Sequence, residues 1–199
     1  MKYFNIILIF VPILCFATYQ TSARKIVAPE VGCSVYIEEI GLAIAKQYEP
    51  SVPSQKLSAC TYNPIYLGDN CCNYNESLLV NDTMIYYEMV FGENLSCMHY
   101  IWDMSCAFSC SPNQVQYLVP VNVDSQNDQI LSIKFNINPT YAQSLYGACK
   151  TVKAPNGKSF GQLYPTYQQF FQGVFGDSNN PNFNDVIYNY DSTIGYNGN

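Results

Sequence analysis

The chain has 199 residues, 9 Lys+Arg against 15 Asp+Glu, a formal net charge of -6 and only 12% charged residues. This acidic balance lacks the clustered cations that grip a phosphate backbone, which excludes nucleic acid as a partner class. A hydrophobic content of 48% with 18 tyrosines excludes a disordered chain, and a single histidine leaves His-rich zinc sites and His-pair catalysis without parts.

Met1-Lys2 opens the chain with a positive charge, and Ile6 to Ala17 is an apolar run interrupted by Pro12. That run is too short to cross a bilayer core, which takes about 20 residues. With the small residues Thr21-Ser22-Ala23 after it, residues 1–23 are expected to be a cleaved secretory signal that removes Cys15 and leaves eight cysteines. An even cysteine set in an oxidising compartment predicts four disulfides. The spacings Cys97-x8-Cys106-x3-Cys110 and the doublet Cys71-Cys72 do not form the paired knuckles of a zinc site, so no metal is expected. Three sequons, at Asn75, Asn81 and Asn94, are expected surface positions for N-glycosylation.

Residues 24–70 are rich in proline and turn formers, with Cys33 and Cys60 as fixed points. Leu78, Leu79, Ile85, Met89 and Val90 recur with helical period and predict a helix over Ser77–Phe91. A second helix, Cys97–Phe108, carries Ile101, Trp102 and Met104, and Ser111-Pro112 stops it. Cys106 and Cys110 lie four apart and are expected to point toward one neighbouring segment, and Trp102 is expected in the core. Val115–Val123 and Ile130–Ile137 read as an antiparallel hairpin around the turn cluster Asp124 to Asp128. Pro139–Val152 and Tyr167–Phe175 read as further helices, and the Asn-, Asp- and Tyr-rich stretch from Gly176 as loop with a frayed end. The expected fold is a disulfide-rich single α+β domain, several helices around a small antiparallel sheet. Nothing after the leader is long and apolar enough to span a membrane.

The motifs of catalysis are missing. No Gly-x-Ser-x-Gly elbow, phosphate-cradling glycine loop or His-Glu-x-x-His segment occurs, and the paired cysteines leave no thiol nucleophile. His99, between Met98 and Tyr100, is expected to be structural. Carboxylates are present at Glu38, Glu39, Glu49, Glu76 and Glu88, but nothing singles out a glycosidase pair. A non-catalytic binding module without a cofactor is the expected class.

The segment from Cys97 to Leu118, with its Cys-x8-Cys-x3-Cys-Ser-Pro-x-Gln pattern, resembles the lumenal sterol-binding N-terminal domain of the Niemann-Pick type C (type one) family. Tyr141 to Pro155 around Cys149 resembles a second block of that family, and Cys33 and Cys71-Cys72 fall in the same order. Folate receptors are similar more distantly. The resemblance implies a Niemann-Pick type C N-terminal-like lipid-binding domain over residues 24–185, followed by a polar tail over 186–199. It implies the bridges Cys33–Cys71, Cys60–Cys106, Cys72–Cys110 and Cys97–Cys149. The family's further bridges would need cysteines where this chain has Glu39, Pro50 and Asn94; both ends of the first of them are missing together.

By the same resemblance, a sterol hydroxyl would be held at Glu49 and Glu76, where the family carries amide side chains, with Glu38 nearby. Val80, Met104, Leu145, Tyr146, Leu163 and Phe183 would form the apolar wall, with Pro155 to Gln162 and Pro181-Asn182-Phe183 at the mouth. The implied function is reversible capture of a sterol or similar lipid by a secreted, lysosomal or endosomal carrier that exchanges ligand with a lipid-donor or acceptor protein. A folate-receptor-like vitamin binder and an extracellular interaction protein that keeps the fold without the pocket are the two alternatives.

Overall fold

The computed structural model describes residues 32–37, 43–92, 94–176 and 185–198. The expected signal, residues 1–23, lies outside them. Strands β1 (Cys33–Ile37) and β2 (Ala43–Tyr48) pair antiparallel, Cys33 opposite Tyr48 and Ile37 opposite Ala43. This hairpin lies in the stretch 24–70, rich in prolines and turn formers. Its strands draw on Val35, Ile37, Ile44 and Tyr48, residues that suit a pleated surface.

Helix α1 (Tyr74–Phe91) starts three residues before the expected Ser77, because Asn73 caps it and Glu76 completes a capping box. It ends at Gly92, whose φ of 62° lies in the left-handed region that glycine enters without a Cβ penalty. Helix α2 (Leu95–Cys110) is capped by the Asn94 side chain, which accepts the Cys97 backbone N–H. Pro112 then blocks its continuation.

Residues 115–117, expected to open a strand, instead complete the helical turn α3 (Gln114–Tyr117). The cause is Gln114, a fully buried side chain that acts as a strut. Its Oε1 accepts the backbone N–H groups of Ser34 and Val35, and its Nε2 donates to the carbonyls of Phe108 and Ser109. The Gln of the Cys-Ser-Pro-x-Gln pattern therefore ties the end of α2 to β1.

Strand β3 (Leu118–Val123) pairs antiparallel with β4 (Ile130–Ile137), the latter with the bounds its alternation predicts. Helices α4 (Pro139–Cys149), α5 (Phe160–Leu163) and α6 (Tyr167–Phe175) follow; α4 stops at Cys149, short of the expected Val152. Strand β5 (Asp185–Tyr190) then pairs parallel with β4, which becomes the central strand of a sheet ordered β3-β4-β5.

Two expectations are corrected here. The sheet built on the hairpin is mixed, since β5 runs parallel to β4. The stretch 186–199, read as a polar tail with a frayed end, contributes β5 and places Tyr196 in the core. Its alternating Val186, Tyr188 and Tyr190 face the helical layer while Ile187 and Asn189 intervene, and the Asn- and Asp-rich flanks concealed a strand.

Four disulfides fasten the layers: Cys33–Cys71, Cys60–Cys106, Cys72–Cys110 and Cys97–Cys149. Cys106 and Cys110 do not share one neighbouring segment as expected. One turn apart on α2, they reach the loop at Cys60 and the chain before α1 at Cys72. Their sulfurs sit within one hydrophobic cluster that runs from Val35 to Tyr196. The result is a disulfide-rich α+β domain.

Candidate functional site

Helices α1, α2 and α4 converge on the apolar interior because each turns a stripe of large side chains inward. Val80 on α1, Met104 on α2 and Leu145 on α4 are all buried in the core cluster. Tyr146 on α4 and Leu163 on α5 are half-buried and packed against it. The Tyr146 hydroxyl donates to the Tyr164 carbonyl at 2.6 Å, which holds the chain after α5 against α4. Phe183 lies outside the described residues, as does the Pro181 side of the expected mouth.

Around Tyr146 the packing is aromatic. Phe91 stacks on Phe160 at 4.8 Å between ring centroids, and Phe170 meets Tyr146 at 5.6 Å and Phe160 at 5.7 Å. Phe171 and Phe175 continue the cluster toward Tyr188 on β5. Burial lifts the Tyr87 hydroxyl at its edge to about 12. This part of the interior is packed aromatic ring against aromatic ring, with few polar atoms.

The three acids expected at the polar end have separate fates. Glu76 is buried at the third position of α1, where its Oε2 accepts the Asn73 backbone N–H at 2.6 Å. The Glu76 N–H donates in return to Asn73 Oδ1 at 3.0 Å, so the carboxylate is a working part of the helix cap. Glu49, just past β2, is exposed. Glu38 lies outside the described residues.

The sequons also differ. Asn75 is exposed in the first turn of α1, Asn81 is half-buried in its middle, and Asn94 is the half-buried cap of α2. The Asn94 side-chain nitrogen reaches the Ala148 carbonyl at 3.4 Å.

Sequence reasoning missed a buried polar cluster. Asp103, buried on α2, accepts the hydroxyls of Tyr141 at 3.0 Å and Tyr196 at 2.7 Å on its Oδ2. Burial holds its carboxyl above the usual carboxylate range, against the two tyrosine hydrogen bonds and nearby His99, which favour the charged form. Only the polar Asp inside an otherwise apolar helix face hinted at this, since its partners are 38 and 93 residues away.

His99 is exposed, at the rim of a shallow concavity of about 270 Å³ lined by residues 58–62, His99 and Trp102. Trp102 was expected in the core and is half-buried there instead, its ring perpendicular to Tyr62 at 6.5 Å. Two positions before Met104 on α2, it packs against the margin of the core, off the face that carries Ile101, Met104 and Cys97. Among the described residues, no group of His, Cys, Asp and Glu is placed to hold a metal ion, and no helix is long and apolar enough to cross a membrane.

A family model described as "Niemann-Pick C1 N terminus" matches residues 36–178. The chain belongs to the Niemann-Pick C1 N-terminal family. The match runs from β1 through α6 and contains every paired cysteine except Cys33, which precedes it by three residues. The chain is also similar to the NPC intracellular cholesterol transporter 1 of Sus scrofa, 24% identical over 103 residues. That alignment takes in 47% of this chain and 8% of the pig protein, so this chain spans a small part of that relative's length.

Proposed function

We propose that this domain binds a sterol or related lipid reversibly in the apolar interior between α1, α2, α4 and α5, as a non-catalytic carrier or transfer domain. The observation that carries the reading is the match to the Niemann-Pick C1 N-terminal family over most of the chain, together with a pig relative named as a cholesterol transporter. Burial of a rigid apolar ring system against Leu145, Tyr146, Leu163 and the Phe160–Phe170 aromatics would supply the affinity, the hydrophobic effect scaling with the area removed from water. The four disulfides and the leader-like first residues support a lumenal or secreted setting, in the endosomal or lysosomal lumen or outside the cell.

The test is a saturation assay with radiolabelled cholesterol on protein secreted from eukaryotic cells, with excess unlabelled folate as competitor. Saturable binding that folate leaves unchanged is the expected result. Leu163 is the wall residue to alter first, because it is half-buried and its replacement spares the deepest core. Leu163→Gln forfeits about 1.5–3 kcal/mol of side-chain burial against the ligand, which corresponds to a roughly ten- to hundred-fold weaker Kd. Absence of saturable sterol binding overturns the proposal, and binding that Leu163→Gln and Tyr146→Ala both leave intact overturns the location.

A further inference from the structure

Helix α1 carries two apolar faces. Ser77, Val80, Met84 and Phe91 form the inner one and are buried. Leu78, Ile85 and Met89, spaced by seven and four, form a second stripe well round from it, with Tyr86 beside it and the charged Asp82 set into the seven-residue gap. Their exposures are 37%, 52%, 74% and, for Tyr86, 60%. A stripe of this kind on a water-soluble surface calls for a cover.

Asn81 is rooted at the edge of that stripe. It lies three residues after Leu78 and four before Ile85, within one helical turn of both, and Asp82-Thr83 completes its sequon. Asn75 stands on the other flank, three residues before Leu78. The helix has no Lys or Arg, and Asp82 and Glu88 are its exposed charges. An anionic lipid surface is therefore repelled from this face, whereas a neutral oligosaccharide is not.

We propose that Asn81 carries an N-linked glycan whose first sugars lie over Leu78, Ile85 and Met89 and keep this face from associating. In the attachment, Asn81 Nδ2 loses one proton and forms a bond to the anomeric carbon of an oligosaccharide carried on a lipid pyrophosphate. The bond from that carbon to the pyrophosphate oxygen breaks, and the lipid pyrophosphate leaves with the electron pair. Attachment comes before α1 winds, while the sequon is extended. The C–H faces of the sugars then meet the stripe and their hydroxyls meet water. The inference rests on passage through the secretory pathway, part of the function proposed above.

The experiment uses the full chain secreted from eukaryotic cells. Peptide mass spectrometry is expected to find glycan on Asn81. Removing it from the folded protein with a peptide amidase, under native conditions, is expected to shift the gel-filtration peak from monomer to larger species as concentration rises, with a gain in binding of an apolar dye. Leu78→Ser, Ile85→Ser and Met89→Ser together are expected to restore the monomer in the trimmed protein. Secreted protein with unmodified Asn81 overturns the inference while leaving the sterol reading intact, and a chain that is not secreted at all overturns the setting itself. A trimmed protein that stays monomeric with unchanged dye binding, or that instead binds neutral phosphatidylcholine vesicles, also overturns it, the last result assigning the stripe to a lipid surface.

Discussion

Tyr196→Ala is expected to cost about 3–5 kcal/mol of unfolding free energy, the range for truncating a buried aromatic side chain, although it changes the fourth residue from the C-terminus. Tyr196 is buried among the rings of Tyr141 at 5.1 Å, Tyr117 at 5.2 Å and Phe135 at 6.2 Å. Its N–H donates to the Asn136 carbonyl, and its own carbonyl accepts the Asn138 N–H, so the segment is stitched alongside the end of β4 and the start of α4. Tyr196→Phe keeps the ring and removes the hydroxyl that donates to Asp103, a hydrogen bond worth about 0.5–1.5 kcal/mol. Urea unfolding followed by circular dichroism separates the two variants; a Tyr196→Ala protein as stable as the parent would show that this segment does not close the core.

The same cluster sets a pH dependence whose sign follows from burial. Desolvation raises the Asp103 carboxyl above its ordinary value of 3.8 in the folded protein, so the folded state binds its proton more tightly than the unfolded chain. Between the ordinary and the raised value, stability therefore falls as pH rises, and above that window the cost is constant. The groups facing Asp103 are Tyr141 on α4, Tyr196 near the C-terminus, Tyr62 on the loop after Cys60, Tyr117 on α3 and His99 on its own helix. The hydrogen bonds from Tyr196 and Tyr141, and then His99, oppose the rise without cancelling it. Asp103→Asn keeps an acceptor for the tyrosine hydroxyls and removes the titration. The stability difference between parent and variant should shift in the variant's favour as pH climbs through the window. A constant difference would mean that folding does not raise the Asp103 carboxyl above its ordinary value.

What the sequence conceals is governed by range. Ile130–Ile137 and Tyr167–Phe175 have in the structure the bounds their patterns predict, because alternation in one and helical period in the other are local signals. The Asn73-x-x-Glu76 capping box is local too, yet counting Glu76 as a ligand contact drew attention from its role at the start of α1. Strand β5 is short, flanked by Asn and Asp, and made a strand by β4, about fifty residues earlier. Tyr196 and Asp103 meet across 93 residues, and no pattern in either neighbourhood announces the other. Long-range pairings became legible only at the cysteines, where resemblance to a family supplied the partners.

Among the bridges, Cys97–Cys149 is expected to matter most for the sterol capture proposed above. Replacing both cysteines by Ala should cost about 2–5 kcal/mol, mostly through the freed unfolded chain, and lower the Tm by roughly 10 °C for a domain of this size. The loops closed by Cys97–Cys149 and Cys33–Cys71, with separations of 52 and 38 residues, differ too little for loop entropy to rank them. What ranks them is what they hold. Cys97–Cys149 joins the start of α2 to the end of α4, the helices that bring Met104 and Leu145 into the interior, and the Asn94–Ala148 contact beside it has no strength to hold them alone. Cys33–Cys71 instead fastens β1 to the chain before α1. Well below either melting temperature, the Cys97→Ala/Cys149→Ala protein should bind cholesterol more weakly than the parent, while Cys33→Ala/Cys71→Ala, similarly destabilised, keeps its affinity. Equal loss of affinity in both would mean that binding follows overall stability and not the spacing of α2 and α4.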